Sequence, residues 1–350
     1  MEIEDFYKDK KVLVTGHTGF KGSWLCQILL NFGANVCGLA LKPSSNPNLF
    51  SLLELENRID NHYIDIRNFE KVKKAFNDFK PEIVLHLAAQ PLVLESYKEP
   101  RYTYDVNVMG TVNVCECVKL SNSVKSFINI TTDKVYENIE DSNYYYKEDD
   151  KLNGYDPYSN SKSCSELVTQ SYIRSFFNEK GISVSTCRAG NVIGGGDFAN
   201  NRIIPDCVRA TLSKKSIEIR NPGSIRPYQH VLEADMFYLL LAMKQYEDNK
   251  YSGSYNIGPN IENCISTKEL VELFTRSWNG AEYIIKNLNG PHEANYLKLD
   301  SSKAKKLLNW LPKWNIIKTV ENTTEWYKSF NNKDDIKKIT NTQIKDYLGQ

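Results

Sequence analysis

The chain has 350 residues, 41% hydrophobic and 25% charged, with a formal net charge of +1. These are ordinary values for a soluble globular protein, and the length suffices to bury one large domain or two modest ones without covalent staples. The balanced charge excludes a broad basic field for nucleic acid or an anionic membrane surface, so an anionic ligand has to be held by a local site.

The eight cysteines (Cys26, Cys37, Cys115, Cys117, Cys164, Cys187, Cys207, Cys264) form no C-x-x-C pair and adjoin no histidine cluster. They read as small core residues, and no metal is expected. The first ten residues carry no apolar leader, and no run reaches membrane-span length. A reduced, cytoplasmic protein is expected.

Lys11–Thr15 predicts a buried strand running into glycines. Residues 19–32 predict a helix, with Phe20, Trp24, Ile28 and Leu29 at helical spacing and Gly33 as its stop. A second strand is predicted at 35–41, a loop at 43–47 and a third strand at 62–66. A helix follows at 68–79, then a strand at 82–87, a helix at 105–120 and a strand at 125–131. A long helix at 157–177 and a sixth strand at 183–188 complete the series. Alternating strands and helices over roughly 190 residues predict an α/β fold built on a doubly wound parallel sheet of Rossmann type. After Gly190 the rhythm breaks, and residues 191–350 are read as a smaller mixed α/β substrate lobe. A helix at 232–246 and a strand at 254–257 are expected to return to the first lobe.

Gly16, Gly19 and Gly22 form G-x-x-G-x-x-G between the first strand and the first helix, with Phe20 a further candidate cofactor contact. Such glycines permit a tight turn, close approach of a pyrophosphate and close helix packing, with the helix N-terminus facing the anion. Asp65 and Ile66, in Y-I-D-I-R, are candidate contacts for the adenine end. Ala88 and Ala89, after the fourth strand, are small where a cofactor passes close to backbone. The second strand ends in Ala40-Leu41-Lys42 and lacks the acidic residue that often holds the NAD ribose, so the residues leave NAD and NADP both open.

Tyr158 and Lys162 form Y-x-x-x-K at the head of the long helix, on one helical face. An ammonium beside the phenol is expected to lower its pKa, so that tyrosinate takes a proton from a sugar hydroxyl. Thr132, Asp133 and Lys134 follow the fifth strand, at the edge where such sheets bind ligands. Thr132 can hydrogen-bond a hydroxyl, Asp133 can protonate a leaving oxygen if burial raises its pKa, and Lys134 can orient a group or accept a proton.

Seven blocks carry a family resemblance: G-H-T-G-F-K-G-S-W-L, H-L-A-A-Q-P-L-V, T-T-D-K-V-Y, G-Y-D-P-Y-S-N-S-K, R-A-G-N-V-I-G-G-G-D, R-N-P-G-S-I-R-P-Y-Q-H-V-L-E and P-H-E-A-N-Y-L-K-L-D. In this order, from Lys11 to about Tyr327, they resemble the CDP-glucose 4,6-dehydratases. The resemblance implies an extended short-chain dehydrogenase fold and tightly bound NAD that is regenerated in each cycle. It implies oxidation at C4 of the sugar by Tyr158 and Lys162, loss of water across C5–C6, and return of hydride to C6. In the related TDP-glucose dehydratases a Glu at the position of Lys134 is the C5 base; the Lys here leaves that base open. His17, in the glycine loop, is characteristic of the CDP branch, with the cofactor diphosphate or Lys134 as its expected contact.

A CDP-sugar brings a diphosphate, so cations are sought after Gly190. Arg226 is the leading candidate, with Arg202 and Arg220 as helpers. Asn191 and Gln90 are candidate sugar or phosphate contacts, and the resemblance places His292 and Tyr296 near the nucleotide. Residues 105–120 and 157–177 are apolar over wide arcs, and the resemblance implies that this helix pair is covered in a homodimer or dimer of dimers. A nucleotide-sugar 4-epimerase, a dehydratase for another nucleotide sugar such as a CDP-heptose, and a non-catalytic dinucleotide-binding scaffold are the competing readings.

Overall fold

The computed structural model describes residues 2–286 and 296–350. Seven strands form one parallel sheet: β1 (Lys11–Thr15), β2 (Asn35–Ala40), β3 (Asp60–Tyr63), β4 (Ile83–His86), β5 (Ser126–Ile130), β6 (Ser183–Ala189) and β7 (Gly253–Ile257). Their spatial order is β7-β6-β5-β4-β1-β2-β3. The sheet is covered on both faces, which explains strands that are apolar throughout. Val12 and Val14 of β1 join the core beneath α1 (Phe20–Asn31) and the later helix Val231–Glu247. Leu13, between them, joins the opposite core with α2 (Phe69–Phe79) and α3 (Gly110–Leu120).

Local signals act where the sequence places them. Gly33, at φ +74°, ends the α1 segment. The side chain of Asp156 caps α4 (Pro157–Tyr172) by accepting from the Ser159 amide at 3.0 Å, with Pro157 in the first turn. This cap sets Tyr158 at the start of α4 and Lys162 one turn further on. The predicted helices at 105–120 and 157–177 each contain one π-type turn, at Asp105–Met109 and Ile173–Phe177.

The third strand lies two residues earlier than predicted, at Asp60–Tyr63. It is an edge strand whose polar residues, Asp-Asn-His-Tyr, carry no hydrophobic run to mark it. The later chain contributes α5 (Ile203–Leu212), α6 (Val231–Glu247), α7 (Thr267–Ser277), α8 (Ile316–Asn331) and α9 (Ile336–Leu348). Within it, β7 pairs in parallel with β6, and Ser126 on β5 donates to the Ala242 carbonyl of α6 at 3.0 Å. Among the described residues no helix is long and apolar enough to cross a membrane.

Candidate active site

The strand order reverses between β4 and β1, the position at which open α/β sheets form a ligand crevice. The glycine loop follows β1 there. Gly16 adopts φ +78°, and a Cβ on it would lie 2.8 Å from the Ala88 amide nitrogen. A Cβ on Gly22 would lie 2.2 Å from the Gly16 carbonyl oxygen. Only glycine lets β1, α1 and the end of β4 approach so closely. Gly19 precedes α1 with extended backbone and gives it no side-chain cap, so the first amides of the helix stay available to an anion. The loop therefore fits a dinucleotide diphosphate.

Beside it lies a cleft of about 780 Å³. Phe20 and Lys21 come to it from α1, Thr131 to Lys134 from the end of β5, and Tyr158 from α4. Asn191, Arg202, Arg220 and Arg226 come from the later chain. The catalytic candidates separated in sequence thus meet on one wall.

Burial governs their chemistry. Asp133 is 1% exposed. It accepts from Thr132 Oγ1 at 3.0 Å through Oδ1, and its Oδ2 has no hydrogen-bond partner among the described residues. Desolvation raises its pKa against the opposing pull of Lys134, Thr132 and Arg226, which suits a carboxyl that donates a proton. Lys162 donates from Nζ to the Ile130 carbonyl at 3.0 Å, and burial together with the charge of Lys21 lowers its pKa to about 7. Tyr158 departs from expectation. Burial pushes it up to about 12, with a hydrogen bond from Thr132 pulling the other way. The phenol's loss of water outweighs the opposing pull of Thr132 and Arg202.

A buried polar network stands behind these groups. Glu166 and Arg188 pair at 2.9 Å, with side chains 0% and 1% exposed. Thr131 and Thr186 donate to the same carboxylate at 2.6 and 2.7 Å. His86 links Thr15 and Thr111, and Asn129 donates to Ser165 and Thr169. The inner face of α4 is therefore polar and hydrogen-bonded, which fixes its rotation and with it Tyr158 and Lys162.

Comparison with known proteins agrees with this geometry. Residues 13–323 match the family described as GDP-mannose 4,6 dehydratase. The chain belongs to the GDP-mannose 4,6 dehydratase family. Within that family it is 44% identical to the CDP-glucose 4,6-dehydratase of Salmonella typhimurium, over 99% of this chain and 98% of that one. Its fold is similar to that of the dTDP-glucose 4,6-dehydratase of Streptomyces venezuelae, solved with NAD (TM-score 0.80, 23% identity, 92% of this chain, 98% of that one). It is also similar to that of the UDP-glucose 4-epimerase of Thermotoga maritima, solved with UDP-glucose (TM-score 0.78, 23% identity, 91% and 99%).

Several family-motif residues sit differently from the expectation. Gln90 turns inward: Oε1 accepts from the Leu92 amide at 2.6 Å and Nε2 donates to Thr103 and Leu92, so it is consumed in shaping its own loop and does not face the sugar. His17 is fully buried on the β2–β3 side of β1. Its Nε2 lies 2.6 Å from Asn61 Oδ1, and its ring packs edge-on to Phe50 and fills the space a Cβ on Gly38 would need. Lys134 follows β5, on the other side of β1, so His17 does not meet it. Asp65 is engaged by Arg67 at 2.7 Å, whose hydrogen bonds hold its carboxyl below the usual range; Arg67 also pairs with Asp105. Ile66 is buried, with its side chain where a Cβ on Gly110 would fall. Ala88 donates its amide to Thr15 Oγ1, and Ala89 follows it at the end of β4.

Among the cations, Arg226 is 5% exposed and carries its charge toward Asp133, whereas Arg220 lies exposed on the rim. Arg202 is tied to Asp197 at 2.9 Å and lies near enough to Tyr158 to interact with it electrostatically. The Tyr296 backbone pairs with Ile225, next to Arg226, and its carbonyl accepts from Asn138. His292 lies outside the described residues. Sequence reasoning missed Lys21, which lines the cleft; a lysine in the glycine-loop helix was the available signal.

Proposed function

We propose that the protein is a CDP-glucose 4,6-dehydratase that converts CDP-glucose to CDP-4-keto-6-deoxyglucose. The observation that carries this reading is the meeting of Tyr158 with buried Asp133 and with Lys134 on one wall of the cleft. A 4-epimerase needs the tyrosine alone. A dehydratase also needs an acid for the leaving hydroxyl and a base for the C5 proton, and Asp133 and Lys134, both lining the cleft, are the candidates for these roles. The 44% identity to a protein of that name supports the choice of sugar nucleotide.

The glycine loop and the head of α1 would hold NAD, which when bound takes a hydride from C4 and returns one to C6. Thr132 orients O4, and Tyr158 would take its proton as phenolate, a form that burial opposes in the cofactor-free protein and the positive nicotinamide of bound NAD would favour. The C4 ketone so formed acidifies the C5 proton, which passes to a base for which Lys134 is a candidate. Asp133, whose pKa burial raises, gives its proton to the departing C6 hydroxyl. Arg226 binds the diphosphate and, through its charge, limits how far the Asp133 pKa rises.

The boundary near residue 190 is read as separating a cofactor half from a nucleotide-sugar half, with residues 230–260 built into the first. Exposed Met109 and Leu167 lie on the α3 and α4 side, and we assign this surface to pairing with a second copy; light scattering tests the mass. All eight cysteines are free, which agrees with a reducing, cytoplasmic location. The activity is tested by incubation with CDP-glucose and NAD. A product lighter by one water supports the reading, and an isomer of unchanged mass supports the epimerase.

A further inference from the structure

The edge strand β3 has no apolar run to hold it against the sheet. Its side chains alternate between the two faces. In the parallel register with β2, Asp60 lies opposite Cys37 and His62 opposite Leu39, so Asp60 and His62 share a face with Cys37. Asn61, opposite Gly38, takes the other face, where its Oδ1 lies 2.6 Å from His17 of the glycine loop.

On the Cys37 face, Asp60 Oδ1 is 2.9 Å from His62 Nε2. The Cys37 Sγ, a carboxylate oxygen of Asp60 and a ring nitrogen of His62 all lie within 4.8 Å of one another. Cys37 is fully buried, whereas the Asp60 and His62 side chains are 51% and 40% exposed. None of the three lines the catalytic cleft, and the reaction described above uses none of them. Among the described residues no other group of three cysteine, histidine or carboxylate side chains converges in this way.

A half-exposed Asp–His pair contributes little by itself. Here it is set against a thiol, an arrangement that suits neither partner: burial and the Asp60 carboxylate both drive the Cys37 thiol upward, away from thiolate. A divalent cation reverses that conflict. Thiolate and carboxylate bring one negative charge each and the imidazole none, so the charges of cation and ligands cancel.

We propose that Cys37, Asp60 and His62 form a binding site for one borderline-soft divalent cation, zinc being the match, which staples the edge strand β3 to β2. Mixed sulfur, nitrogen and oxygen ligands suit zinc, whereas magnesium and calcium take oxygen sets. Tetrahedral zinc holds its ligand atoms roughly 3.3–3.8 Å apart, so side-chain adjustments of about 1 Å close the site. The two exposed side chains have room to make them, while Cys37 is fixed in the core. The solvent side leaves the fourth position to water. On binding, the Cys37 thiol gives its proton to solvent and a sulfur–metal bond replaces the S–H bond, so one proton is released per cation. The staple also holds Asn61, and through it His17 in the cofactor loop. Its ligands come from two strands, which is why the spacing of the cysteines predicts no metal.

The experiment titrates chelator-washed protein with Co²⁺, whose thiolate complexes show a sulfur-to-metal charge-transfer band, and then with Zn²⁺ in competition. Wild type should develop the band at one Co²⁺ per chain and lose it to one Zn²⁺. Cys37→Ser should abolish the band, and Cys37→Ser, Asp60→Asn and His62→Ala should each weaken zinc binding at least about tenfold. Cys164→Ser and Cys264→Ser, which remove the two half-buried thiols, should leave band and affinity unchanged. Zinc should raise the melting midpoint of wild type and leave that of His62→Ala where it is. No band in wild type, or a band that survives in Cys37→Ser or vanishes in Cys164→Ser or Cys264→Ser, overturns the proposal. So does an unchanged zinc affinity in His62→Ala, a surface variant that keeps the test open if Cys37→Ser fails to fold.

Discussion

Lys162 Nζ donates to the carbonyl of Ile130 at 3.0 Å, so the catalytic lysine of α4 is anchored to the last residue of β5. Thr132, Asp133 and Lys134 begin two residues after Ile130. One hydrogen bond thus ties the oxidising pair on the helix to the eliminating groups on the strand end. The dyad and the acid cannot shift independently.

Tyr158→Phe removes the group that accepts the O4 proton and leaves the ring that packs beside Thr132. Turnover is expected to fall by about a hundred- to ten-thousand-fold. Dinucleotide affinity, measured by fluorescence titration, should stay within a few-fold of wild type. A comparable loss of affinity would assign Tyr158 to cofactor binding and not to chemistry.

Asp133→Asn keeps the shape of the acid and removes its proton donation. The first oxidation should proceed while water loss slows, so reduced nicotinamide should accumulate under single-turnover conditions with CDP-glucose. Lack of accumulation, with overall activity lost, would place Asp133 in the oxidation step.

Lys162 makes stability depend on pH. Its folded pKa is about 7, against 10.5 for an ordinary lysine. Between those values the unfolded chain holds the proton that the folded chain has released, so stability rises with pH. The contribution is complete above about pH 10 and is lost as pH falls to about 7. The stability difference between wild type and Lys162→Met, from urea titrations of cofactor-free protein, should grow in favour of wild type across that window. The change should be on the order of a few kcal/mol at most. A difference that stays flat would place the folded Lys162 pKa near its ordinary value.

Glu166→Ala strands Arg188, which is 0% exposed, and takes a shared acceptor from Thr131 and Thr186. Breaking a buried pair from one side costs about 3–5 kcal/mol. The urea midpoint should fall accordingly. An unchanged midpoint would mean that water or Tyr136 takes over the guanidinium.

Gly22→Ala places a methyl group on the Gly16 carbonyl, 2.2 Å away, and forces the glycine loop apart. Dinucleotide binding should weaken at least tenfold in equilibrium dialysis. Unaltered affinity would show that this loop does not form the diphosphate cradle.

Much of this was legible from residue order because local rules agreed with the fold. The β1 run, the glycines after it and the Asp156-Pro157 cap ahead of Tyr158 each act within a few residues. The edge strand β3 was misplaced because it buries little and shows no apolar period. Gln90 and His17 were assigned ligand contacts from their motifs, yet Gln90 spends its amide within its own loop and His17 places Nε2 on Asn61. The burial that raises the Tyr158 pKa comes from packing between distant segments. The same holds for Lys21, whose Nζ lies 3.5 Å from the Tyr238 hydroxyl of α6.

The most direct measurement is turnover of CDP-glucose carrying deuterium at C4, with the product examined by mass spectrometry and proton NMR. The account predicts a 4-keto-6-deoxy sugar, lighter by one water, with the deuterium relocated to C6. A product that keeps all its oxygens and retains deuterium at C4 would contradict it and make the enzyme an epimerase.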